Sequence, residues 1–328
     1  MCDAHGIFPV MTLATRATPT CICCGSAGRL LYSDVRDQLF GAPGVWSIRL
    51  CSNRDCGLGW LDPQPEPQEI PKLYEGYWTH GSADGQPPSP DAGLSSPAKR
   101  NVKKAAAAIL FWQRRAWLSD CRYLHDLPPG RLLDVGCGMG EFAAGMAALG
   151  WTATGIEFDP ETVAAARRQP GITVHEGSVE DQKFADDSFD AITMSNVIEH
   201  LPDPLGTMRE LARVLRPGGR LVVITPNIQS MGHAIFGPAW RGLEPPRHLF
   251  LFSAKALERF GEAAGLSALE TFTAAGAARE LFEASRAILA KTGDARPVPD
   301  LERTLWRERI RLIFNQPVGE WVALVASK

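Results

Sequence analysis

No stretch of the 328 residues is apolar for the roughly 18–20 positions that a bilayer crossing needs. The opening residues, MCDAHGIFPVMTLATRA, have neither the basic start nor the apolar run of a secretory leader, so a cytoplasmic protein is expected. No charge of one sign dominates. The 34 Lys and Arg face 37 Asp and Glu, a net charge of −3, and no basic field favours nucleic acid. No internal repeat is present. Two phosphate-binding signatures are also missing from the glycine-rich turn at 136–140. No Gly-Lys-Ser/Thr follows it, and the dinucleotide pattern G-x-G-x-x-G/A fails at its third small residue, which is Glu141.

What is present describes a globular chain with a core. Apolar residues make up 45% and charged residues 22%, and the length allows one large α/β domain beside a smaller one. Residues 1–20 read as a flexible N-terminus. Residues 21–61 hold five of the eight cysteines, with short alternating segments such as VWSIRLC between them. Residues 62–98 include DPQPEPQEIP and GSADGQPPSPDAGLSSP and read as a linker or lid, because such composition buries too little apolar surface to order itself.

From residue 99 an alanine-rich amphipathic helix is expected to run to Pro128-Pro129-Gly130. Strands and helices then alternate, from RLLDVG, EFAAGMAALG and TATGIE to SAKALERFGEAAG and SALETFTAA. Repeated β-α units with short connections mean a parallel, doubly wound sheet. Helical stretches near 277–291 and 300–313 interrupt that rhythm before a last strand, GEWVALVASK, which is expected to pair antiparallel. Residues 99–328 thus read as one α/β domain with a helical insertion near 277–313.

The turn RLLDVGCGMGEF lies where doubly wound sheets bind ligands, beyond the carboxyl end of a strand. Asp134 precedes Gly136, Gly138 and Gly140. An acid there suits a ligand without phosphates that carries an ammonium, such as S-adenosylmethionine (SAM). The next strand ends GIEFDP, which puts Glu157 where a carboxylate can accept both ribose hydroxyls.

Four segments, LLDVGCGMGEF, GIEFDP, EGSVEDQKFADDSFDAITMSNVIEHLPDP and LARVLRPGGRLVVITPN, together resemble class I SAM-dependent methyltransferases over residues 131–225. The resemblance implies a Rossmann-like, seven-stranded sheet with an antiparallel last strand, SAM as cofactor, and methyl transfer. It implies that Asp134, Gly136 and Gly138 line the methionine part, Glu157 the ribose and Phe158 the adenine. Gly177-Ser178 stands where many members carry Gly-Asp, so Ser178 would meet the adenine amino group and Val179 would add apolar contact. Ser195 and Asn196 would face the transferred methyl. Asp190 reads as support for the fold, Pro217-Gly218-Gly219 as a turn and Cys137 as a space-filler.

Cys21-x-x-Cys24 and Cys51-x4-Cys56 form two knuckle-like pairs. Four thiolates at such spacing suit tetrahedral zinc, which would supply folding energy to a module of forty or so residues. Cys23 offers an alternative ligand, and metal-free cysteines or redox chemistry are the other readings. The block also resembles the zinc-ribbon-like head of bacterial methyltransferases, many of which act on sugars. That resemblance implies an acceptor of the sugar or glycan type or a related metabolite, including nucleotide- or lipid-linked sugars.

Methyl transfer to a hydroxyl needs alignment and gains from a base. His248, in WRGLEPPRHLFLFS, and His200, in NVIEHLPDP, are the candidates, with Glu199 able to orient either. Loop 227–252 mixes Ile235, Phe236, Trp240, Leu243, Phe250 and Phe252 with Arg241 and Arg247. It suits an acceptor with an apolar or aromatic part and an anionic group, or else packs on its own core. Tyr74, Tyr77, Trp78 and His80 would close the pocket from the other side. The competing readings are an RNA methyltransferase with a zinc-binding recognition module and a non-catalytic binding protein. SNVIEH stands where a base-amino methylase would carry NPPY, which disfavours the first, and the intact glycine turn disfavours the second.

Overall fold

Five of the seven described α-helices start on a side-chain cap. A computed structural model describes residues 13–74, 122–276, 278–294, 296–314 and 316–328. Helix α1 (Glu141–Ala148) follows strand β6 (Arg131–Val135) through the glycine turn. Helix α2 (Pro160–Ala166) begins on Asp159, whose carboxylate accepts from Thr162 N, with proline at the first helical position. Helix α3 (Pro204–Val214) repeats that device with Asp203 and Pro204. Helix α4 (Met231–Phe236) is capped by Ser230, α5 (Ala254–Ala263) by Ser253, and α7 (Leu301–Ile313) by Asp300. Helix α6 (Ala278–Thr292) completes the set.

Strands β6, β7 (Thr152–Glu157), β8 (Ile172–Glu176), β9 (Phe189–Ser195), β10 (Leu215–Pro226), β12 (Ser267–Ala274) and β13 (Trp321–Ser327) form one sheet in the order β12-β13-β10-β9-β6-β7-β8. Only β13 runs against its neighbours, pairing antiparallel with both β10 and β12. This is the expected Rossmann-like sheet. The Pro217-Gly218-Gly219 turn interrupts β10 as a register shift between Leu215 and Arg220. Asp190 supports the sheet, accepting from Arg131 N at 2.6 Å and pairing with Arg216.

The cysteine-rich block builds a second sheet from β2 (Gly28–Val35), β3 (Trp46–Cys51) and β4 (Gly59–Leu61), to which β11 (Phe250–Leu251) adds as a fourth strand in the order β11-β4-β3-β2. A separate short antiparallel pair joins β1 (Thr15–Arg16) to β5 (Gln64–Pro65). The core runs without a break from Trp46, Ile48 and Trp60 of this sheet to Phe250, Phe252 and Phe260 and on to Ile192 and Val223 of the large one.

Two expectations change. Of residues 62–98, the described part, 62–74, is folded: Gln64 is buried and donates to Leu249 O at 3.2 Å, and Leu73 lies buried at the end of a 3-10 helix, Pro67–Tyr74. The apolar residues between the prolines find a partner surface that composition alone does not show. The rest of that segment, residues 1–12 and 99–121 of the expected long helix lie outside the described residues. Residues 122–130 are not helical, because Arg122 and Tyr123 take φ of 44° and 57° and turn the chain into β6. Among the described residues no helix is long and apolar enough to cross a membrane.

Helix α7 buries Glu308 against Glu320, which accepts from Gly232 N at 2.6 Å and Trp240 Nε1 at 2.9 Å. Burial, reinforced by the neighbouring Glu320, pushes the Glu308 carboxyl up to about 8. The folded state therefore keeps a proton that the unfolded chain releases above its ordinary carboxylate range. That contribution is complete at acid pH and is lost as pH rises through about 8. Glu308→Gln should remove this slope and raise Tm at pH 8 by roughly 2–4 °C relative to the parent, with little change at pH 5, in thermal melts across pH.

Candidate active site and cysteine cluster

The turn between β6 and α1 requires glycine. Gly136, Gly138 and Gly140 have φ of 68°, 53° and 78°, and a Cβ on Gly136 would lie 2.2 Å from a methyl of Val197. Gly136 N and Cys137 N both donate to Ile156 O, which ties the turn to β7. At the end of β7 the Glu157 carboxylate accepts from Gly138 N at 2.9 Å, Phe158 N at 2.8 Å and Asp159 N at 3.2 Å. Three main-chain donors thus hold this acid beside the turn.

Asp134 is fully buried. One carboxylate oxygen accepts from Thr193 Oγ1 at 2.7 Å and pairs with Arg122, whose guanidinium lies 3.8 Å above the Phe142 ring. The other oxygen, Oδ2, has no hydrogen-bond partner among the described residues. Burial pushes this carboxyl up. Arg122 carries no motif and comes into play only because the chain turns at 122–123.

The other residues expected around a cofactor lie along the same sheet edge. Phe158, after β7, is 57% exposed. Val179, after β8, is buried, and Ser178 is exposed with its Oγ and N on Asp181 Oδ2 at 2.7 and 3.0 Å. Asp181, three residues beyond the position where an acid is missing, went unnoticed in the sequence. Ser195 ends β9 half-buried, and Asn196 follows exposed at φ 57°. Cys137 is buried against Gly155, where an added Cβ would meet its sulfur at 2.6 Å.

Beyond β9 the structure brings His200 and His248 together. Their rings lie 4.7 Å apart, edge to face. His200 Nδ1 is 3.1 Å from Arg247 O and 2.9 Å from Tyr74 Oη, and His248 Nδ1 is 2.8 Å from Gly242 O. A carbonyl only accepts, so each Nδ1 carries the proton and each Nε2 is left as an acceptor. Burial lowers both imidazoles, His248 to about 3, and keeps them neutral at pH 7. Glu199 accepts from Thr225 Oγ1 at 2.9 Å through Oε2, and its Oε1 has no hydrogen-bond partner among the described residues. Burial pushes it up to about 8. One ligand atom from each of Glu199, His200 and His248 lies within 4.8 Å of the others. Glu244, absent from the sequence reading, lies 3.5 Å from His248 Nε2 and pairs with Arg241. Tyr77, Trp78 and His80 lie outside the described residues.

At the other end of the cysteine-rich sheet, Cys21, Cys24, Cys51 and Cys56 bring their sulfurs within 4.8 Å of one another. Cys21 and Cys56 are 3.6 Å apart, Cys24 and Cys51 3.4 Å. Each knuckle ends in a left-handed glycine, Gly25 at φ 70° and Gly57 at φ 68°. The longer Cys51–Cys56 spacing is taken up by a turn in which Cys56 N and Gly57 N both donate to Asn53 O. Cys23 is not part of the foursome. Four thiols this close cannot all ionise without a cation between them.

Comparison with known proteins agrees with this geometry. A family model described as a methyltransferase domain matches residues 111–271. The ubiquinone biosynthesis O-methyltransferase of Xanthomonas oryzae pv. oryzae is 42% identical over 108 residues, covering 31% of this chain and 45% of that protein. The enzyme of the same name from Alkalilimnicola ehrlichii is 33% identical over 156 residues, covering 39% and 62%. The chain thus spans about half the length of these curated relatives. A solved SAM-dependent methyltransferase from Thermotoga maritima aligns with 70% of this chain and 97% of its own, at 22% identity and a TM-score of 0.46. Residues 111–271 thus match a methyltransferase domain, and the chain is similar to SAM-dependent methyltransferases.

The Asp134–Arg122 pair is the buried electrostatic link of this site. Asp134→Ala should leave the guanidinium without its carboxylate and cost about 3 kcal/mol, read as a lower urea midpoint at unchanged m-value.

Proposed function

We propose that the protein transfers a methyl group from SAM to a hydroxyl of a small-molecule acceptor. The observation that carries this reading is the pair of carboxylates at the glycine turn, Glu157 held by three main-chain donors and Asp134 with one unpartnered buried oxygen. An anionic pair of this kind suits a ligand with an ammonium and ribose hydroxyls and repels phosphates. Bound SAM supplies an electrophilic methyl on a sulfonium with a neutral thioether as leaving group.

In this reading Asp134, Gly136 and Gly138 hold the methionine part and Glu157 the ribose. Phe158 and Val179 flank the adenine, Ser178 with Asp181 behind it meets the amino group, and Ser195 lies by the methyl. His200 and His248 orient the acceptor hydroxyl, and either Nε2 takes its proton as the new carbon–oxygen bond forms. Glu244 stabilises the resulting imidazolium. The O-methyltransferase names of the relatives support an oxygen acceptor, and the arginine and aromatic content of loop 227–252 supports an anionic one, such as a sugar derivative. The net charge of −3 gives no support to RNA. Calorimetry with SAM, using NAD as control, should show micromolar binding of SAM alone. Glu157→Ala should weaken it about 100-fold, from two lost charge-assisted hydrogen bonds. Absence of SAM binding by the folded protein would sink the reading.

The cysteine foursome suits one structural zinc, with Cys21, Cys24, Cys51 and Cys56 as ligands. Elemental analysis of the purified protein should find one zinc per chain, and none in Cys51→Ser.

A second reading of the histidine cluster rests on the ligand atoms of Glu199, His200 and His248 lying within 4.8 Å of one another, with Glu199 Oε1 lacking a hydrogen-bond partner among the described residues. These three donors would also hold a divalent cation that binds the acceptor oxygen. Turnover lost on dialysis against EDTA and restored by magnesium or manganese, with SAM binding intact throughout, would favour the cation over base action alone.

A further inference from the structure

The β2–β3 loop of the cysteine-rich block holds a large aromatic side chain in water on a rigid support. Phe40 is 43% exposed, yet the loop beneath it is pinned by Asp37, whose carboxylate accepts from Leu39 N, Phe40 N and Ala42 N at 2.9–3.0 Å. The same carboxylate pairs with Arg247 at 2.7 Å. Arg247, only 3% exposed at its side chain, also donates to Leu73 O. A loop that needed only to connect two strands would not require a buried ion pair to fix one exposed ring.

Across from Phe40 lies the turn that carries Trp240, Arg241 and Glu244. The guanidiniums of Arg241 and Arg247 lie 5.2 and 5.1 Å from the centre of the Phe40 ring. Arg241 is itself fixed, its N donating to Ser285 Oγ at 2.9 Å. Between the two walls is a shallow, open crevice lined among others by Arg36, Phe40, Trp240, Arg241 and Glu244. Lys291 reaches the same loop, donating to Gln38 O at 2.6 Å. The charged lining of the crevice is Arg36, Asp37, Arg241 and Glu244, with Asp37 engaged by Arg247 behind it and Arg241 paired with Glu244. Glu244, at the edge of this crevice, lies 3.5 Å from His248 Nε2, and the His248 ring packs on His200.

We infer that this crevice is the acceptor-recognition subsite, and that the cysteine-rich block supplies half of it. A planar ring stacks on Phe40, and an adjoining anionic group is held by Arg36 and Arg241. The reactive hydroxyl then extends past Glu244 to the histidines. This inference rests on the methyl-transfer reading and names its acceptor class, a planar ring joined to an anion. A nucleoside diphosphate and a carboxylated phenol share that chemistry.

Uridine diphosphate and 3,4-dihydroxybenzoate serve as the two probes, titrated into the full chain with S-adenosylhomocysteine present. One of them should bind and should weaken with rising salt. Phe40→Ala and Arg36→Ala should each weaken it about tenfold while leaving S-adenosylhomocysteine affinity unchanged. Which probe binds separates the two sources. Binding of S-adenosylhomocysteine with neither probe, or equal probe affinity in both variants, would overturn the subsite while leaving the cofactor reading standing. Loss of S-adenosylhomocysteine binding in the parent would instead strike the methyl-transfer reading itself.

Discussion

Two residues of backbone, Phe250 and Leu251, join the two halves of this protein. They leave the large sheet after β10 and pair with Trp60 and Gly59 of the cysteine-rich block, so a strand of one half completes the sheet of the other. Main-chain bonds lock the junction on both sides. Leu249 N donates to Glu199 O, Leu61 N donates to Leu249 O, and Asn227 bridges to Phe252. His248 stands one residue before this lattice and His200 one residue after Glu199. The separation of the two imidazoles is therefore tied to this main-chain lattice through Leu249 and Glu199, a precision that the proposed proton transfer would use.

The same junction explains why a cysteine cluster far from the glycine turn can matter to chemistry. Cys56 O accepts from Ser253 Oγ at 3.1 Å, and Ser253 caps α5. An added Cβ on Gly57 would strike that hydroxyl at 2.7 Å, so the second knuckle and the helix start are in close contact. Lys255 and Arg259, on the first turns of α5, reach Asp55 within the knuckle. Whatever fixes the four sulfurs also fixes β4, and β4 fixes the strand that follows His248.

Much of this was legible in the sequence, and the parts that were not share a cause. The parallel sheet, its reversed last strand, the glycine turn, the carboxylate at Glu157 and the four cysteines all rest on local pattern: period, spacing and turn chemistry. Arg122, Asp37 and Glu244 rest on none. Each acts through a partner outside any local motif, Asp134 for Arg122, Arg247 for Asp37, and in Glu244 a carboxylate that looks like any surface acid until the turn at 241–248 buries it. The proline-rich start of 62–98 misled for the opposite reason. Its composition is that of a linker, but Gln64 and Leu73 find a surface made by Leu249 and Arg247, residues no local window contains.

The distribution of buried acids separates the scaffold from the site. Glu308 and Glu320 are buried on one another at α7, with Glu320 spending its oxygens on Gly232 of α4 and Trp240 just after it. That pair tolerates burial by keeping protons, and neither Glu308 oxygen has a hydrogen-bond partner among the described residues. Asp134 and Glu199 differ. Each satisfies one oxygen within the protein and leaves the other without a hydrogen-bond partner among the described residues, one below the glycine turn and one below the histidines. A buried carboxylate oxygen without a donor is costly, and a fold that retains two of them at the carboxyl ends of adjacent strands is poised for partners from outside the chain. In the proposed methyl transfer, the Asp134 oxygen is the one assigned to the cofactor ammonium and the Glu199 oxygen the one assigned to the acceptor side, so these two bracket the path of the methyl group.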